Sequence, residues 1–155
     1  MDTHPAETGS ILATAEKLNG QPASARGSSD EVETRRDLTR VLVVDDQRLI
    51  ADTLAEILRN EGFEVVAAYD GWAALQAAPR FYPHWILSDV LMPRMNGVEL
   101  AITIRQNFPE IAILLFSGQA GISEILQDGK RRGYEFELIA KPIHPLKLID
   151  RFKRH

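Results

Sequence analysis

The chain predicts an α/β fold built on a parallel sheet, and three observations carry that prediction. From Arg40 onward, short apolar runs alternate with segments of helical period. Gly, Pro and Asn-rich breaks separate them at short intervals. Several of the apolar runs also end abruptly in charge: Val41-Leu42-Val43-Val44 in Asp45-Asp46, His84-Trp85-Ile86-Leu87-Ser88 in Asp89, and Ile139-Ala140 in Lys141-Pro142. Strands alternating with helices require parallel pairing and right-handed crossovers.

Taken in order, residues 40–45 read as the first strand and 47–60 as a helix whose inner face carries Leu49, Ile50, Thr53, Leu54, Ile57 and Leu58. Glu61-Gly62 stops that helix, and 64–69 form the second strand. A short alanine-rich helix over 71–78 is expected to break at Pro79. The third strand spans 84–89, the third helix 97–107 and the fourth strand 111–117. A weaker helix over 122–132, a fifth strand over 136–140 and a last helix over 146–153 complete the series. Trp72 and Trp85 are read as packing residues, and Phe136 as alternating into the core.

Residues 1–38 differ in composition. Gly, Pro, Ser, Ala and charge dominate, as in Gly20-Gln21-Pro22-Ala23-Ser24, and the segment reads as a largely disordered extension. Within it, Ser10 can cap a short helix from Ile11 to Leu18, ended by Asn19-Gly20. Residues 39–155 hold one domain, long enough to bury a core, and leave no segment for a second.

Composition excludes several classes. The 155 residues contain no cysteine, which rules out disulfides, thiolate metal sites and a cysteine nucleophile, and permits a reducing cytosol. A formal charge of −4 argues against a general nucleic-acid binder. No apolar run approaches membrane-spanning length, and the start, Met1-Asp2-Thr3-His4-Pro5, is not a secretory signal, so a cytoplasmic protein with no membrane partner is expected. The four histidines are too dispersed for a metal site.

The strand ends carry the chemistry. In an open parallel sheet the carboxyl ends of the strands border the ligand crevice, so Asp45, Asp46, Asp89 and Lys141 should converge. Three clustered carboxylates repel one another unless they share a hard cation, and oxygen ligands suit Mg²⁺. Lys141 adds a compact positive charge for an anion's oxygens.

With Asp45-Asp46, Asp89, Pro93, Gly97, Ser117 and Lys141-Pro142 at consecutive strand ends, residues 39–155 resemble the receiver domain of two-component response regulators. The resemblance implies a flavodoxin-like, doubly wound sheet of strand order 2-1-3-4-5 with helices on both faces. It implies that Asp89 is the phosphoacceptor, taking a phosphoryl group from a phosphohistidine on a sensor histidine kinase or a histidine phosphotransfer protein. Asp46 and Asp89 would bind Mg²⁺ directly, Asp45 through water, and the Leu91 backbone carbonyl would complete the protein's share. Lys141 would pair with one phosphoryl oxygen and Ser117 would donate its hydroxyl to another. The Lys141-Pro142 peptide would be cis, as is usual in the family. The product is a signalling receiver that catalyses only its own phosphorylation and dephosphorylation and acts on an unidentified downstream protein. No output domain follows Arg154-His155, so a transcription factor is not expected.

Departures from the family pattern matter. Three residues before Lys141 the family usually carries Tyr or Phe, and here the residue is Leu138. That keeps a second reading open, a pseudo-receiver that binds partners without taking phosphate. After Ser117, Gly118 and Gln119 replace the more usual residues. Leu91 cannot hydrogen-bond an attacking water, which implies a long-lived phosphoryl group. A hydrolase with an aspartate nucleophile would carry a second acid two residues on, whereas Asp89-Val90-Leu91 has none. A calcium loop fails on spacing.

Overall fold

The computed structural model describes residues 38–118 and 122–154. The expected disordered extension over 1–38, with its short helix over 11–18, lies outside the described residues except for Leu38, as does Gln119.

Among the described residues five strands and five helices alternate: β1 (Arg40–Val44), α1 (Arg48–Asn60), β2 (Glu64–Ala68), α2 (Gly71–Phe81), β3 (Trp85–Asp89), α3 (Gly97–Asn107), β4 (Ala112–Ser117), α4 (Ser123–Arg131), β5 (Glu137–Ala140) and α5 (Pro145–Lys153). The strands form one sheet in the order β2-β1-β3-β4-β5, every neighbouring pair parallel. This is the flavodoxin-like doubly wound order, whose crevice opens beyond the carboxyl ends of β1 and β3.

Side chains on β1 and β3 alternate between two cores, because successive residues of a strand face opposite sides. Val41, Val43, Trp85 and Leu87 pack with Ala51, Leu54 and Leu58 of α1 and Leu148 and Phe152 of α5. Leu42, Val44 and Ile86 pack with Ala74 and Ala78 of α2 and Leu100, Ala101 and Ile104 of α3. Both faces are therefore covered, which is why these strands read as continuous apolar runs. Phe136 is half-buried against the second of these cores, as its alternation implied.

Element ends lie within one residue of the sequence reading except in α2, which runs through Pro79 to Phe81. Proline forgoes one intrahelical bond, but Ala78 is buried and Phe81 packs on the same core beyond it. Tyr82 then closes the helix in the left-handed conformation, φ 51°, its N–H donating to the Ala78 carbonyl at 2.9 Å. Two further expectations need correction. The buried face of α1 is Ala51, Leu54, Ala55 and Leu58, while Leu49 is 80% exposed and Thr53 is exposed as well. Small alanines seat this helix on the sheet, and the larger Leu49 is left on its rim. Trp72 is 60% exposed on the first turn of α2 and is not a packing residue, whereas Trp85 is buried against Phe152.

Candidate functional site

The carboxyl ends of β1, β3, β4 and β5 bring together the residues that the strand-end pattern singled out. Asp45 follows β1, which pairs with β3, and Asp89 ends β3 itself. The first is fully buried (0% exposed) and the second nearly so (8%), while Asp46 faces solvent. One carboxylate oxygen from each of the three lies within 4.8 Å of the others.

Backbone bonds hold these acids. The Asp45 N–H donates to the Ala68 carbonyl at 3.1 Å, and its Oδ1 accepts from the Gln47 amide at 2.9 Å. Asp45 Oδ2 is buried and accepts no hydrogen bond among the described residues. Val90 N–H donates to the Phe116 carbonyl at 3.1 Å, tying the end of β3 to β4.

Lys141 comes in from the end of β5. Its N–H donates to the Ser117 carbonyl at 2.9 Å, its chain lies over Phe116 with Nζ 4.7 Å from the ring centre, and the Lys141-Pro142 peptide is cis. Nζ sits 3.6 Å from Asp45 Oδ2 and 3.7 Å from Asp89 Oδ2. Ser117, buried at the end of β4, is therefore beside the same lysine. Leu91 is half-buried in the loop that leaves Asp89.

One ammonium does not compensate three carboxylates. Burial, and then the neighbouring Asp45 charge, push the Asp89 carboxyl up to about 6, against the opposing pull of Lys141 and the Val90 amide. Burial raises Asp45 as well, offset by the Gln47 amide and Lys141. The pocket thus has excess negative charge, a buried carboxylate oxygen that accepts no hydrogen bond and an all-oxygen donor set. A hard divalent cation such as Mg²⁺ fits that arrangement.

The sequence reading counted Gly97 among the residues of the family resemblance but gave it no role at the site. A Cβ placed there would lie 2.2 Å from the Asp89 carbonyl oxygen and 3.0 Å from the Val90 Cα. Its N–H donates to the Val90 carbonyl at 2.8 Å. Its spacing from Asp89 was visible, but the approach of α3 to the strand end was not.

A family model described as the response regulator receiver domain matches residues 41–153. The chain belongs to the response regulator receiver family. Among curated receivers, it is 32% identical to the DNA-binding response regulator MtrA of Mycobacterium tuberculosis over 114 residues, 74% of this chain and 49% of the relative. It spans about half the length of the curated relatives it matches.

Among solved receivers, the chemotaxis protein CheY4 of Vibrio cholerae superposes with a TM-score of 0.65 at 32% identity, over 76% of this chain and 98% of that one. The receiver domain of NtrX from Brucella abortus gives 0.63 at 34% identity, over 74% and 95%. No helix among the described residues is long and apolar enough to cross a membrane.

Proposed function

We propose that this receiver is a phosphoacceptor in a two-component phosphorelay and that Asp89 is the accepting residue. The observation that carries the reading is the juxtaposition of Asp89 Oδ2 with Lys141 Nζ at 3.7 Å, beside the Asp45 and Asp46 carboxylates. A carboxylate oxygen of Asp89 attacks the phosphorus of a phosphohistidine on a sensor kinase or phosphotransfer protein. The new P–O bond replaces the P–N bond, whose electron pair returns to the imidazole nitrogen, and that nitrogen is then protonated.

Phosphoryl transfer has little covalent chemistry to assist, so positioning and charge supply most of the help. Lys141 pairs with one phosphoryl oxygen, and the Ser117 hydroxyl donates to another. Asp45, Asp46, Asp89 and the Leu91 carbonyl would hold Mg²⁺, which when bound supplies positive charge toward the transferring group. The acceptor must be ionised to attack, and with Lys141 beside it the Asp89 carboxyl, pushed up to about 6, is still mostly ionised at neutral pH. We place the protein in the cytoplasm, acting on a downstream protein through phosphorylation-dependent binding, with residues 39–155 as the receiver and 1–38 as a disordered extension.

The test is intact mass after incubation with Mg²⁺ and acetyl phosphate. One added phosphoryl group is expected, lost on omission of Mg²⁺ and in Asp89→Ala. Leu138, 38% exposed on β5 where the family usually has an aromatic ring, favours a second reading, a pseudo-receiver that binds partners constitutively. A parent chain that stays unmodified by acetyl phosphate and by phosphohistidine donors would give that reading the lead.

A further inference from the structure

We infer that Gly97 is a positioning residue for the acceptor, through the main chain of Asp89, an inference that rests on the phosphoacceptor reading of that residue. The backbone of Gly97 lies outside the left-handed region, so glycine is not required there for conformation. What is required is space. A Cβ would stand 2.2 Å from the Asp89 carbonyl oxygen, 3.0 Å from its carbonyl carbon and 3.0 Å from the Val90 Cα. All three are main-chain atoms, and no rotamer change can clear them.

The contact is fixed from both sides. On one side, α3 begins in a capping box, Asn96 Oδ1 accepting from the Glu99 amide at 2.9 Å and Glu99 Oε1 from the Asn96 amide at 3.1 Å. Gly97 N–H then binds the Val90 carbonyl at 2.8 Å. On the other side, Val90 N–H is held by the Phe116 carbonyl at 3.1 Å, and the fully buried Ser88 hydroxyl donates to the same Asp89 carbonyl at 3.0 Å. Any side chain at 97 must therefore separate the start of α3 from the end of β3. The Asp89 carboxylate hangs from the segment that would move, as does the loop bearing Leu91. A displacement of about 1 Å in reacting groups is enough to slow a reaction by about a hundredfold.

The experiment uses the full chain, acetyl phosphate with Mg²⁺, and calorimetric titration of Mg²⁺ as a second readout. Parent labelling comes first: if the parent takes no phosphoryl group, the phosphoacceptor reading itself has failed, independently of Gly97. Given parent labelling, Gly97→Ala is expected to lower the labelling rate at least tenfold and to weaken Mg²⁺ binding several-fold. Glu99→Ala loosens the same helix end without crowding Asp89, and it should stay within twofold of the parent in both. Gly97→Ala labelling and Mg²⁺ affinity within twofold of the parent, or an equal loss in Glu99→Ala, would overturn the inference. If Gly97→Ala does not fold, Ser88→Ala decides, because it frees the same carbonyl without adding an atom. A rate reduced threefold or more with the melting temperature within a few degrees supports the inference, and a parent-like rate overturns it.

Discussion

β3 and β5 each deliver a charged residue to the same pocket, yet they are built to opposite specifications. β3 lies between β1 and β4 and is buried along its whole length, Trp85 to Asp89. β5 is an edge strand of four residues, Glu137 to Ala140, none of them fully buried. Beside it a cavity of about 280 Å³ opens between α3, α4 and β5, lined by Val98, Leu126, Tyr134, Phe136 and Leu138. The acid is thus mounted where the strand is fully buried, while the lysine paired with it is mounted where packing is thin. Regions with few buried apolar contacts open most easily. On the proposed reading, chemistry occurs on the rigid strand and its consequence is transmitted through the loose one.

The largest expected effect breaks this contrast directly. Leu87 is fully buried in β3, and Leu87→Ala should cost about 2–5 kcal/mol in urea unfolding, the range for truncating a core leucine. Leu138→Ala in β5 should cost less than about 1 kcal/mol, because that side chain is already partly in water. Equal losses would show that the two strands are equally well packed.

Next in size is the charge stored at the end of β3. Asp89 titrates at about 6 in the folded chain against about 3.9 in an unfolded one, so its ionisation opposes folding. The stability available with the acid protonated is fully present below about pH 3.9 and is lost as pH rises through about 6. With divalent cations chelated, Asp89→Asn should therefore be more stable than the parent by about 2–3 kcal/mol at pH 8, the equivalent of about two pKa units. The gap should close below pH 4, and it should shrink at pH 8 when Mg²⁺ is restored. A variant no more stable than the parent at pH 8 would mean that the pocket is not overcharged.

A smaller effect is expected at Leu91. Its side chain cannot order a water near the proposed aspartyl phosphate. Leu91→Asn should accelerate loss of the phosphoryl group several-fold, on the order of 1 kcal/mol in the barrier. An unchanged decay rate, followed by intact mass, would separate this position from phosphoryl lifetime.

The same contrast explains what could be read from the chain alone. β1 and β3 were legible because central parallel strands are apolar without interruption, and Asp45, Asp46, Asp89 and Lys141 stood out as charges ending such runs. Features that depend on how closely two segments approach were not legible. Leu49 and Thr53 fit the helical period of α1, yet Ala51 and Ala55 are what let that helix sit on the sheet. Pro79 marked the end of α2 by local rule, and burial of Ala78 and Phe81 overrode it. Nor could spacing reveal that Asp45 is buried while its neighbour Asp46 is open to solvent, or that Gly97 touches the Asp89 backbone.

The smallest prediction concerns how the loose strand is kept in place. Arg151 of α5 reaches β5 through a forked pair, Nε 3.0 Å from Glu137 Oε1 and Nη2 2.6 Å from Oε2, with its guanidinium carbon 5.0 Å from the Trp85 ring centre. Both partners are nearly half exposed, so the pair stabilises by less than about 1 kcal/mol after screening. The Arg151 hydrogen bond holds the Glu137 carboxyl below its ordinary range, so this contribution is present above the unfolded value and is lost as pH falls through the folded one. Arg151→Ala should therefore lower the unfolding midpoint slightly at pH 7 and less at pH 3. Arg151→Lys keeps the charge but loses the fork and the flat contact with Trp85, and it should fall between the two. High salt separates the causes: if the ion pair dominates, molar NaCl shrinks the difference between parent and Arg151→Ala, and if stacking on Trp85 dominates the difference persists. Persistence would mean that β5 is held through the buried tryptophan of β3, so that the loose strand borrows its anchorage from the rigid one.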